Sequence, residues 1–183
     1  HKIEEKILYL IEKKIPKKLG VDPLEDIQVL TPMHSRDLGT EHLNKILSEH
    51  LNPHGGQALM RSGRVFKKGD RVMQLRNNYQ REVFNGDSGR VAAIDQETQE
   101  LSVDFEGRLV VYDFTDLDEL TLAYAITIHK SQGSEFPVVI IPLTSAHHVM
   151  LRRNLLYTAI TRGRRFVVLI GSSQAVRRAV AGD

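Results

Sequence analysis

Two stretches concentrate side chains able to do chemistry: "HKSQGSEF", residues 129–136, and "YTAITRGRR", residues 157–165. In the first, His129, Lys130, Ser131 and Gln132 bring donors, acceptors and charge to the edge of two apolar runs. Gly133 adds backbone freedom and Glu135 a carboxylate. An imidazole, a hydroxyl and an amide spaced along one short helix can grip a nucleic-acid backbone, because phosphate contacts use neutral donors besides Lys and Arg. Glu135 can accept from a sugar hydroxyl. In the second stretch, Arg162 precedes Gly163, and a fixed guanidinium there can stabilise charge on a phosphoryl group in transfer. Each stretch also has a plainer reading. Polar residues scatter around strand ends, and for His129 alone that is the stronger account. An arginine near a helix C-terminus, before a C′ glycine, caps the last carbonyls and suits the dipole. On the residues alone, the two readings of Arg162 balance.

The elements that must position these residues follow from periodicity. Ile3, Ile7, Leu10 or Ile11, and Ile15 stand at helical spacing, ended near Pro16 and Gly20. "DIQVLTPM" reads as a buried strand over 26–31, and Thr40 as the N-cap of a helix carrying Leu43, Ile46, Leu47 and Leu51. Next come four short β-type runs, "DRVMQL", "GRVAAI", "ELSVDF" and "LVVYDF", separated by the turn signals "NGDSG", "DQETQ" and "EGR". These predict a small antiparallel barrel. After Leu120 an α/β rhythm returns: "LTLAY" and "PVVIIPL" as strands around a helix "AITIHKSQG", then a helix "LRRNLLYTAI", the strand "FVVLIG" and a last helix capped by Ser172 or Ser173. The stripe Leu151, Leu155, Leu156, Ala159 and Ile160 is the buried face of the first of these C-terminal helices, leaving Arg153 and Tyr157 on another face. The fold class is therefore α/β, a parallel sheet flanked by helices. Residues 1–65 and 119–183 form it, and 66–118 form an all-β insertion.

Composition bounds the function. The 183 residues are 41% hydrophobic and 26% charged, a globular rather than a disordered composition. No apolar run reaches membrane-spanning length, so no membrane partner is expected. There are no cysteines, which removes disulfides and thiolate metal sites and points to the cytoplasm; no metal-binding residues are assigned. The net charge is only +2, but from Phe136 to Gly182 there is no acid and there are seven arginines: 152, 153, 162, 164, 165, 177 and 178. A single such arginine is usually a solvated one; seven together favour a polyanion. The chain opens on His1 rather than Met, which suggests part of something longer.

The pair "AYAITIHKSQGSEFPVVIIPL" and "RRNLLYTAITRGRRFVVLIG" closely resembles motifs V and VI of superfamily 1 DNA helicases. "VLTPMHSRDLGTEHLN" resembles the motif IV region of the RecD-like branch, and "GDRVMQLRNNYQREVFNGDSGRV" its entry into an inserted small barrel. The likeness covers nearly all of residues 26–171, with four motifs in order. It implies the second RecA-like motor domain, with a Src-homology-like barrel as the insertion. Arg162 then resembles the motif VI arginine finger and Arg36, in a looser motif, the motif IV arginine. Gln132, Gly133 and Glu135 fall where motif V lines the nucleotide cleft, and Tyr157 matches the motif VI aromatic. Thr127 and His129 fall where motif V holds the DNA backbone, with Lys130 and Ser131 beside them. The implied partners are single-stranded DNA, ATP with Mg2+, a first motor domain of the same protein, and other subunits of DNA repair and recombination. The branch also implies 5′-to-3′ movement.

The sequence has no G-x-x-x-x-G-K-[ST] loop and no strand ending in paired acids for magnesium. In this family those parts belong to the first motor domain, so the chain alone is expected not to hydrolyse ATP. Two alternatives stay open. A conjugative relaxase-helicase has similar motor domains and is distinguished by an upstream relaxase segment. The other is a stand-alone nucleic-acid-binding module without an ATPase half, which finding a Walker A segment upstream of His1 would exclude.

Overall fold

The computed structural model describes residues 2–35, 37–144 and 152–181. The chain divides into two compact units, residues 1–47 with 124–183, and residues 48–123.

In the first unit a parallel sheet of four strands has the order β11 (Gly163–Gly171), β10 (Phe136–Leu143), β1 (Ile27–Thr31), β9 (Ala125–Thr127). β1 is buried along its whole length and β10 from Val138 onward, as continuous Val/Ile/Leu strands of a sheet covered on both faces must be. The N-terminal helical segment starts as α1 (Lys2–Tyr9) and continues through a π-turn over Leu10–Lys14 into α2 (Ile15–Leu19). Pro16 has no N–H to give the preceding turn, and the Ile15 N–H bonds instead to Leu10 O, five residues back. The helix therefore runs past Pro16 and ends at Gly20, whose φ of 64° is the left-handed C-terminal conformation. Ile7, Ile11 and Ile15 form its buried stripe. A short turn, α3 (Pro23–Asp26), leads into β1. α4 (Thr40–Leu51) buries Leu43 and Leu47. α5 (Arg153–Ile160) buries Leu156 and Ala159; Ile160, expected inside, is exposed, and Leu151 lies outside the described residues. α6 (Ser173–Ala181) is capped by Ser172, whose Oγ accepts from Ala175 N at 3.1 Å.

The second unit is antiparallel. A five-stranded ladder has the order β7 (Arg108–Asp113), β6 (Glu100–Phe105), β5 (Ser88–Asp95), β4 (Arg71–Gln74), β8 (Leu120–Leu122), and β2 (Leu59–Arg61) pairs with β3 (Arg64–Phe66) as a separate hairpin. The expected barrel thus takes the form of an open ladder and a hairpin around one core, to which Leu59, Phe66, Val91, Leu101, Tyr112 and Leu120 contribute.

One expectation is revised. "LTLAY" followed by a helix "AITIHKSQG" is in fact two strands of different sheets: Leu120–Leu122 pairs with β4 and Ala125–Thr127 with β1, and only His129–Ser131 is helical, as one 3-10 turn. The second unit, residues 48–123, takes in the last residues of α4, the β2–β3 hairpin and β8 beside the strands of the expected 66–118 insertion.

Candidate nucleotide and nucleic-acid site

The carboxyl ends of β1 and β9 are level, with Thr31 opposite Thr127. In an open parallel sheet this edge is where ligands collect. The chain leaves β1 here, and the described residues on either side of Arg36 are held by hydrogen bonds. Thr31 Oγ1 donates to Leu38 O at 2.8 Å, and the Thr40 and Glu41 N–H groups donate to Met33 O and His34 O, each at 3.1 Å. Gly39 is required there, since a Cβ would lie 2.6 Å from Ser35 O and 2.7 Å from His34 O. Arg36 lies outside the described residues.

At the end of β9 the Ile128 N–H donates to Thr31 O at 3.0 Å, and the 3-10 turn follows. Thr127 Oγ1 accepts from the Lys130 N–H at 3.3 Å, and the side chains of His129 and Lys130 are exposed. Ser131 behaves otherwise. It is fully buried and its hydroxyl donates to Ile128 O, so it braces the turn from inside and offers no surface hydroxyl. Gln132 is exposed, Gly133 has a φ of 82° that favours glycine, and Glu135 is exposed.

Segment 128–135 then reaches the amino end of β10, where the Phe136 N–H donates to Arg162 O at 2.8 Å and Phe136 pairs with Gly163. Arg162, at the end of α5, folds back on this segment. Its Nη1 donates to Ser134 O at 3.1 Å, its Nε to Thr158 O at 3.2 Å and its Nη2 to Thr161 Oγ1 at 3.3 Å. Among the described residues no carboxylate pairs with it. The guanidinium is thus held in place by neutral acceptors with its charge uncompensated, which suits it to a phosphate. Gly163 is not a C′ glycine: its φ is not positive, it opens β11, and a Cβ would come within 2.5 Å of Val167 Cγ2. Tyr157, one turn before Arg162, is 70% exposed.

The structure therefore brings Ser134, Glu135 and Arg162 together at one end of segment 128–135 and Thr127, His129 and Lys130 at the other. Two residues of this unit escaped the sequence reading. Asn44 on α4 is buried, and its carboxamide pairs with both backbone groups of Ala125. Gln28 in β1 is buried, and its Nε2 donates to Tyr124 O at 3.0 Å. The available signal was a polar residue inside an apolar pattern: Asn44 next to Leu43, Gln28 between Ile27 and Val29. Among the described residues no group of three His, Asp or Glu could hold a metal ion, and no helix is long and apolar enough to cross a membrane.

Two family models match in chain order: the SH3 domain of ATP-dependent RecD-like DNA helicases over residues 43–105, and the UvrD-like helicase C-terminal domain over residues 122–170. The ATP-dependent RecD2 DNA helicase of Deinococcus radiodurans is 43% identical over 155 residues, 85% of this chain. The RecBCD enzyme subunit RecD of Mycolicibacterium smegmatis is 31% identical over 157 residues, 86% of this chain. The chain spans 21% and 27% of the lengths of these two relatives. A crystal structure of Pif1 helicase from Bacteroides in complex with ADP-AlF3 and single-stranded DNA shares the fold, with a TM-score of 0.65 at 20% identity over 98% of this chain and 48% of that one. With a RecD-like SH3 domain followed by a UvrD-like C-terminal helicase domain, the chain belongs to the RecD-like DNA helicases.

Proposed function

We propose that this chain acts as the second motor domain of a cytoplasmic, ATP-dependent, 5′-to-3′ DNA helicase that works in repair or recombination. The observation that carries the reading is the Arg162 clasp: a guanidinium fixed by Ser134 O, Thr158 O and Thr161 Oγ1, with no carboxylate partner among the described residues. A pre-oriented, uncompensated cation is what stabilisation of a phosphoryl group in transfer needs. Arg36 joins it as a second cation, and Gln132, Gly133, Glu135 and Tyr157 line the nucleotide. Bound ATP supplies the phosphoryl group, and its Mg2+ and phosphate cradle come from a first motor domain, since the sequence has no Walker A loop. Thr127, His129 and Lys130 meet the backbone of single-stranded DNA at the carboxyl edge of the sheet. Ser131 supports them from within. Segment 128–135 joins the two ends, so closure on ATP shifts the DNA grip.

The test compares this chain with the full-length protein. The full-length protein hydrolyses ATP in the presence of single-stranded DNA, and the chain alone does not, with or without DNA. Reproducible DNA-stimulated hydrolysis by the pure chain would sink the half-motor assignment.

A further inference from the structure

β9 has three residues and stands at one end of the parallel sheet. Its pairing with β1 occupies one flank: the Val29 N–H donates to Tyr124 O, and Ala125 lies opposite Val29. The N–H and C=O of Ala125 point to the other flank, where the sheet has no further strand among the described residues. Asn44 of α4 fills that position. Its Nδ2 donates to Ala125 O at 2.9 Å, and the Ala125 N–H donates to its Oδ1 at 2.8 Å. A carboxamide carries the same donor and acceptor as a peptide group, so one side chain reproduces the two bonds of a neighbouring strand. Asn44 and Ala125 are 6% and 1% exposed, so water cannot replace these bonds.

Two residues beyond Ala125 the strand ends at Thr127, and the turn bearing His129 and Lys130 begins. So short an edge strand has little pairing of its own to fix where that turn sits. α4 itself is anchored to the loop 32–39 through Thr40 and Glu41. We propose that Asn44 is a positioning residue for the single-stranded DNA grip, setting the place of the His129–Lys130 turn through Ala125. The proposal rests on the helicase reading for its ligand, the phosphate backbone of single-stranded DNA, but not for the mechanical link.

The test uses the full-length protein with Asn44→Leu, which keeps the branching and the number of heavy atoms and removes both bonds, and Asn44→Asp, which keeps the acceptor and removes the donor. Two quantities are read on folded protein: the single-stranded DNA concentration giving half-maximal ATP hydrolysis, and amide hydrogen exchange at Ile128 and Ser131. The expected result is a half-stimulating DNA concentration raised roughly tenfold, the worth of one hydrogen bond to a charged group. The KM for ATP and the rate at saturating DNA stay near wild type, and exchange at Ile128 and Ser131 quickens. Loss of stability alone would not separate DNA from ATP in this way. If Asn44→Leu does not fold, Asn44→Asp carries the same expectation. An unchanged DNA concentration in a folded variant, or unchanged exchange, overturns the proposal. A wild-type protein without DNA-stimulated hydrolysis, whose variants still exchange faster, would instead remove the helicase reading and leave Asn44 as the support of the turn.

Discussion

The two units use arginine in opposite ways. In residues 48–123, nine basic residues face thirteen acidic ones, and the arginines around the 75–87 loop are engaged internally. Arg81 pairs with Asp116 at 2.7 Å and Glu119 at 3.1 Å, and Arg76 with Asp118 at 3.0 Å and Glu119 at 3.4 Å. Arg64 and Arg108 donate to backbone carbonyls. In residues 1–47 with 124–183, sixteen basic residues face ten acidic ones. Among the described residues none of the seven arginines from 152 to 178 has a carboxylate partner; Arg153 and Arg162 bond backbone or hydroxyl oxygens. Cations neutralised inside a unit organise its loops. Cations left uncompensated keep their attraction for an anion that the chain does not supply. Arginine content alone would not have separated the two roles; the position of the acids does.

The largest effect on stability is expected where that internal pairing is deepest. The Glu119 side chain is 7% exposed and also accepts from Asn78 Nδ2 at 3.0 Å, so Glu119→Ala leaves half-buried Arg81 with Asp116 as its one remaining carboxylate and takes this acceptor from Asn78. The unit should lose about 2–3 kcal/mol, less than a fully buried pair, because Arg81 keeps Asp116 and Arg76 can turn to water. Urea unfolding followed at amides of β5 and β6 measures it. A change under about 1 kcal/mol would mean that these pairs do not organise the unit and would erase the contrast.

Tyr112 sharpens it. Its hydroxyl donates to Gln74 Oε1 at 2.7 Å in the core, and Tyr112→Phe should cost about 1–2 kcal/mol by leaving that oxygen unpaired. Burial, and then the charge of Glu119, raise the Tyr112 pKa from its ordinary value of 10.0. The folded unit therefore keeps a proton that the unfolded chain releases near pH 10. This contribution is complete below pH 10 and is lost as pH rises beyond it. Tyr112→Phe should flatten the alkaline fall in stability; an unaltered alkaline profile would show that Tyr112 is not its source.

The smallest stability effect is expected in the other unit. Arg164 and Arg165 are exposed and have no partner among the described residues, so replacing both by Gln should change stability by no more than about 0.5 kcal/mol. Single-stranded DNA binding by the chain should weaken, and the slope of log K against log salt should shrink by about 0.7 for each cation that meets a phosphate. An unchanged slope would place these two arginines off the DNA path.

How far the sequence could be read depended on whether a signal was local. The strands β4 to β7 were legible because alternation and the turns "NGDSG", "DQETQ" and "EGR" are local signals. The β2–β3 hairpin was missed: its strands have three residues each, around a Ser62–Gly63 turn with both φ positive. In 120–131 one apolar run hid two short strands, since periodicity cannot tell which sheet a three-residue strand joins. Arg162 stood out through its neighbours, but its clasp on Ser134 joins residues 28 apart and needed the fold. Asn44 and Ala125, 81 apart, left only a polar residue in an apolar stripe. Ser131 misled because a hydroxyl in a polar stretch reads as a surface group until its burial is known.

Arg162→Ala in the full-length protein tests whether this guanidinium meets the transferred phosphoryl group. Its side chain donates to Ser134 O and Thr158 O in part-buried surroundings, so its loss should cost about 1 kcal/mol of stability. As the group that meets the transferred phosphoryl it should be worth roughly 10³-fold or more in turnover. The account predicts an enzyme that melts near wild type and still binds nucleotide and single-stranded DNA, but loses DNA-stimulated hydrolysis by that factor. Arg162→Lys should restore little, because a flexible point charge cannot reproduce the planar fork. Hydrolysis retained by the alanine variant, or a variant that fails to fold, would show that Arg162 serves the end of α5 and would contradict the account.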